Sequence, residues 1–194
     1  MRIYTPAVLA GVEWTTLQDA GPDDWEMLYA LSGPVGPGWR TPRMTFIREE
    51  EDGTKRLHSD CPWCLHTILV LRDRVVPSLL PLLEAYGELL SVDCEEPVSL
   101  FNATTIIAAL DEERSAIARF SDGEILAIER HVFKPDVIGN TGIFKLPGRA
   151  SAIYLSETVV RRFGELGLRN LAFDLLWSDE AVADGDLRIE YLDR

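Results

Sequence analysis

The sequence predicts an α+β fold: a single domain with two related strand–helix units on a mostly antiparallel sheet, plus an irregular N-terminal region. Three observations carry this expectation. First, residues 67–87 (TILVLRDRVVPSLLPLLEAYG) and 151–167 (SAIYLSETVVRRFGELG) are two copies of one pattern. Each has a β-branched run ending in Leu (Leu71, Leu155), then a polar residue and an acid (Arg72-Asp73, Ser156-Glu157), a Val pair (Val75-Val76, Val159-Val160), an amphipathic stretch and Gly (Gly87, Gly167). The offset is constant, 155 − 71 = 84 and 159 − 75 = 84. Second, alternating apolar runs are separated by turn clusters, as strands joined by short connections require. Third, 194 residues with 46% hydrophobic and 26% charged content suit one domain that buries a real core.

Residues 1–60 form the least regular part, an elaboration expected to pack on a core spanning 61–194. Residues 2–4 read as the start of an edge strand. Asp23 to Tyr29 reads as a short helix with acids in its first turn, where the helix dipole favours negative charge. Residues 32–39 (SGPVGPGW) hold three Gly and two Pro, a loop by composition. Arg43 to Arg48 alternates as a strand, and residues 49–53 (EEEDG) form a charged, solvated turn.

In the first repeat unit, residues 67–71 are expected as a buried strand and 73–86 as a helix. Pro77 and Pro81 limit that helix, because proline is comfortable only in the first turn; either the helix starts at Val76 or later, or it is kinked. Residues 88–94 and 97–101 read as extended. Asn102 to Leu110 supports either a capped helix or, through Thr104-Thr105-Ile106-Ile107, a strand. SAIARF and EILAIERHVF, joined across Ser121-Asp122-Gly123, form a hairpin signal. Gly139 to Gly142 supplies a turn before the strand IFKL. In the second unit Ser156 suits an N-cap, Glu157 the helix dipole and Gly167 the C′ position. LAFDLLW and LRIEYL read as the closing strands.

Charge narrows the function classes. A formal net charge of −13 repels phosphate backbones and anionic lipid and attracts basic partners, so neither nucleic acid nor membrane is an expected partner. No run approaches the ~18–20 apolar residues that span a bilayer. The start of the chain is too weakly apolar for a signal peptide, and three cysteines without scaffold spacing argue against a disulfide framework. A cytoplasmic, reduced protein is expected.

No residue constellation names a reaction. Cys61-Pro62-Trp63-Cys64 has redox spacing, but a reactive thiolate needs a helix N-terminus, and the pair precedes a strand instead. His58, Cys61, Cys64 and His66 are weak metal candidates: they place four zinc-type ligands within nine residues, whereas structural zinc joins two separated pairs. Buried, apolar-like cysteines beside a packed Trp63 are the favoured reading, with a metal-binding or regulatory module as the alternative. His131 lacks an identifiable partner and reads as structural. Ser115 and Ser156 lack the G-x-S-x-G context of a nucleophile. The prolines of residues 33–38 remove the N–H donors that a phosphate cradle uses. No catalytic residue, cofactor or small-molecule ligand is expected. In the tail, seven acids stand against two arginines between Asp174 and Arg194. Asp179, Glu180, Asp184 and Asp186 are either solubilising or offered to a basic partner.

Five segments in order resemble a bacterial family of immunity proteins of polymorphic toxin systems, formerly a domain of unknown function with a myxobacterial prototype. They are the W-x-x-P of Trp39 to Pro42, a strand opening a helix, and the A-L-D-x-x-x-S of Ala109 to Ser115. Gly139 with Ile143-Phe144-Lys145-Leu146 follows, then the second strand–Ser–Glu–helix ending in Gly167-Leu168-Arg169-Asn170-Leu171-Ala172-Phe173. The resemblance runs from about Trp39 to Trp177; Arg72-Asp73 departs from its Ser-Glu pattern, and C-P-W-C lies outside it. It implies a small α+β binder, not an enzyme, that neutralises a cognate toxin protein. The acidic charge suits a basic, nuclease-type effector.

Overall fold

The computed structural model describes residues 1–148, 151–182 and 187–193. In chain order the strands are β1 (Arg2–Ala7), β2 (Trp14–Leu17), β3 (Met44–Ile47), β4 (Leu69–Arg72), β5 (Gly87–Ser91) and β6 (Val98–Ala103). They continue with β7 (Ala116–Arg119), β8 (Ile125–Arg130), β9 (Ile143–Phe144), β10 (Tyr154–Ser156), β11 (Leu171–Ser178) and β12 (Arg188–Tyr191). The helices are α1 (Pro22–Tyr29), α2 (Val76–Leu83), α3 (Pro135–Ile138) and α4 (Glu157–Glu165). A five-stranded sheet has the order β12-β11-β1-β10-β9, a three-stranded sheet β4-β6-β5, and two hairpin-like pairs β2-β3 and β7-β8. All pairings between these strands are antiparallel, so the α+β expectation holds.

The period-2 geometry of strands sorts side chains into three cores. In the five-stranded sheet, Tyr4, Leu155, Ile143 and Phe173 face one core, with α4 and the inner face of the three-stranded sheet. Their neighbours Ile3, Tyr154 and Phe144 face the opposite way, into a core completed by Leu110, Phe133 and Ile138. The three-stranded sheet divides likewise. Leu69, Leu71 and Phe101 join the first core. Val70, Leu100 and Val98 join a third, with Leu28 of α1 and Leu17, Met44 and Phe46 of β2 and β3. Both sheets are therefore covered on both faces. This also corrects the edge reading of residues 2–4: β1 lies in the middle of its sheet, between β10 and β11, because Ile3 and Tyr4 are each wholly buried on opposite faces.

The two repeat units meet in the first core. Leu71, Val75 and Leu79 of the first pack there with Leu155, Val159, Val160 and Phe163 of the second. Their helices begin differently. In the second, Ser156 occupies the N-cap position with extended backbone, although its side chain makes no capping hydrogen bond, and α4 starts at Glu157. In the first, residues 73–75 form a turn and α2 starts at Val76, with Pro77 in its first turn and Pro81 inside. The helix ends at Leu83, short of the expected residue 86. Pro81 has no N–H to give to the preceding turn, so this helix rests on the burial of Leu79 and Leu83.

Asn102 to Leu110 resolves as the end of β6 followed by extended chain, with Ile106 bridged to Lys145. Gly139 takes a positive φ of 54° after α3, a turn the sequence marks only by its glycines.

Candidate functional site

A groove of about 830 Å³ lies beneath the β7–β8 hairpin. One wall is the hairpin, from Arg119 to Ile128; the other includes Tyr29 of α1, His66, His131 and Tyr154. The A-L-D-x-x-x-S segment builds the base of the hairpin. Ser115 Oγ donates to Val132 O (3.3 Å) and accepts from Val132 N (3.0 Å), while Asp111 N donates to Val132 O (2.8 Å). Ser115 is thus a clamp between the two ends of the hairpin, with no base beside it. Ile117, Ile125 and Ile128 pack the hairpin onto the core around Phe133. Phe120 and Leu126 are left outside, 52% and 56% exposed.

His131 lines this groove and stacks on Phe133, with ring centroids 5.6 Å apart. Its Nε2 lies 3.2 Å from the Tyr154 hydroxyl. Burial pushes its pKa down to about 4, so the ring is neutral at physiological pH and reads as a structural group. Nothing in the sequence had offered Tyr154 as its partner, because β10 brings it from 23 residues away.

Of the tail acids, Asp179 and Glu180 directly follow β11 and are not among the residues lining the groove. Trp177 packs edge-on against Phe133 at 5.9 Å. Two residues later Asp179 pairs with the N-terminal ammonium of Met1. Glu180 is exposed, its backbone N–H bonded to Ser178 Oγ at 3.1 Å. Asp184 and Asp186 lie outside the described residues.

The four weak metal candidates are dispersed. His58 sits against Glu13 (Nδ1 to Oε1, 3.1 Å) and Arg74 (2.8 Å). His66 lies on the groove beside Tyr29, ring centroids 6.3 Å apart. Cys61 packs on the first core and Cys64 inside the α1-containing core. Among the described residues no three His, Cys, Asp or Glu side chains are grouped to hold a metal ion. Burial raises both thiol pKa values, Cys64 to about 12, so neither is poised as the free thiolate that redox chemistry uses.

Two buried cationic side chains escaped the sequence reading. Arg72, the residue that departs from the Ser-Glu pattern, is 3% exposed. It donates to Ser59 O (2.8 Å) and Glu13 Oε1 (2.5 Å), pairs with Glu96, and lies over the Phe46 ring at 4.4 Å. Lys145, directly after β9, is wholly buried. Its ammonium donates to Leu31 O (2.7 Å) and Asn102 Oδ1 (3.2 Å), and burial lowers its pKa to about 8. Both contacts tie the sheet to the irregular 31–35 loop, since Asn102 also donates to Gly33 O at 2.9 Å. They hold the scaffold and are closed to a ligand.

The motif residues behind the resemblance are scaffold of the same kind. Trp39 donates to Ser91 O, Pro42 is buried, and Ala109, Leu110, Phe144, Leu168, Leu171 and Phe173 fill cores. The groove, by contrast, shows in the sequence only as a phenylalanine set directly before the Ser121-Asp122-Gly123 turn. No curated protein matches the chain significantly. A family match does exist, over a shorter range than the motifs span: residues 95–176 match the model of the immunity protein family Imm11, in agreement with the resemblance the ordered motifs carry.

Proposed function

We propose that this protein is a cytoplasmic immunity protein that binds a cognate bacterial toxin domain and neutralises it by occlusion, without catalysis. The observation that carries the reading is the family match over residues 95–176. The net charge of −13 adds the partner's character, a basic domain such as a nuclease whose site is built for phosphate. No helix among the described residues is long and apolar enough to cross a membrane.

Asp179, Glu180, Asp184 and Asp186 are proposed to steer that partner. Charges at an interface rim act mainly on association. Replacing all four with Asn or Gln removes four negative charges at nearly constant size. The expected result is association slowed about tenfold at low salt, with dissociation little changed. The test uses the toxin domain that an adjoining gene would encode under this reading, in stopped flow for the rate and in co-expression for protection. Failure of the intact chain to protect cells from that toxin refutes the immunity reading. An unchanged rate and salt slope in the quadruple variant assigns these acids to solubility instead.

A further inference from the structure

We propose that the groove beneath the β7–β8 hairpin is the surface that holds the toxin, taking a toxin segment with a cationic side chain beside an apolar one. This rests on the immunity reading and names its contact site. The hairpin forms a sheet of its own, bonded to none of the larger sheets. Ile117, Ile125 and Ile128 already anchor it to the core. Phe120 and Leu126 lie together on the same groove, 52% and 56% exposed beside a concavity of about 830 Å³. An exposed apolar pair next to Tyr29 and His66 has the composition of an interface centre, where aromatic side chains supply most of the affinity.

The charge around the groove selects the occupant. Between Asp111 and Arg130 the chain carries six acids and three arginines. Arg119 is committed to Glu112 (2.5 Å) and to Gly123 O (2.8 Å). Arg114 faces Asp111, and Arg130 donates to Arg114 O. Glu124 on the groove wall and Glu129 on β8 have no ion-pair partner among the described residues. The hairpin thus presents unpaired carboxylates flanking exposed apolar side chains, complementary to a basic protein. All but Glu26, Tyr29 and His66 of the lining residues fall within the segment that matches the immunity family.

The test compares the intact chain with two variants, F120S/L126S and E124K/E129K, binding the catalytically inactivated neighbouring toxin domain. We expect F120S/L126S to weaken Kd about 100-fold or more, chiefly through faster dissociation. E124K/E129K should slow association about tenfold at low salt, with far-UV circular dichroism and Tm unchanged. Should the apolar variant lose its fold, the charge pair decides alone, because both its residues are exposed. If the intact chain binds while both folded variants bind equally well, the groove assignment is overturned and the immunity reading stands. No binding by the intact chain removes both. Self-association that F120S/L126S abolishes, with toxin binding intact, would assign the groove to a second copy and overturn the proposal.

Discussion

Glu13→Gln should be among the most damaging single isosteric changes in this protein. Glu13 is 3% exposed and accepts from Arg72 (2.5 Å), Ser59 N (2.8 Å), Arg48 Nε (3.3 Å) and the His58 ring (3.1 Å). The variant keeps the size but removes the charge, leaving the Arg72 guanidinium buried opposite an amide. Stripping one partner from a buried ion pair costs about 3–5 kcal/mol. Glu96 still faces Arg72 from a 42% exposed position, so the lower end, about 3 kcal/mol, is expected. At about 2–4 °C per kcal/mol for a chain of this size, Tm should fall by roughly 6–12 °C. Urea unfolding followed by fluorescence of the five tryptophans measures the loss. A cycle with Arg72→Met tests the cause, because the second substitution should cost less once the first has been made. A loss below about 0.5 kcal/mol, or strict additivity in the cycle, would show that the pair is solvated and that the buried network does not hold the N-terminal strands to β4.

Three further outcomes follow from the packing. Lys145 has its pKa lowered from 10.5 to about 8, so between those values the unfolded chain binds more protons and stability rises with pH. Lys145→Met should remove that rise, up to roughly 3 kcal/mol, in urea titrations at pH 7.5 and 10.5; parallel curves for both proteins would refute it. Gly87→Ala would place a Cβ 2.2 Å from the backbone oxygen of Asn102 and should cost about 1–3 kcal/mol, whereas a stabilised variant in thermal melts would contradict the close approach of β5 to β6. Cys61→Ser with Cys64→Ser should lose about 1–3 kcal/mol through packing and leave toxin binding intact; stoichiometric zinc in protein purified without chelator would reverse this reading.

What the sequence determined by itself is the local and periodic part of this protein. Alternation in EILAIERHVF, LAFDLLW and LRIEYL located β8, β11 and β12, because a strand's faces are written in residues two apart. Ser156, Glu157 and Gly167 marked α4, since its ends are fixed by neighbours in the chain. The offset of 84 identified two strand–helix units, and the order of motifs pointed to the immunity family, because both rest on scaffold residues that repeat or recur. Only the tertiary structure decided what depends on distant partners. It moved β1 from an edge to the centre, because pairing with β10 and β11 is set by residues more than 150 positions away. It dispersed His58, Cys61, Cys64 and His66 into different surroundings, since nearness in sequence does not make side chains converge. It buried Arg72 and Lys145, whose acceptors come from loops 13 to 114 residues distant. It opened the groove between the hairpin and α1, which no single segment encodes. A binding surface of this kind has no motif, because shape and exposure belong to the assembled fold.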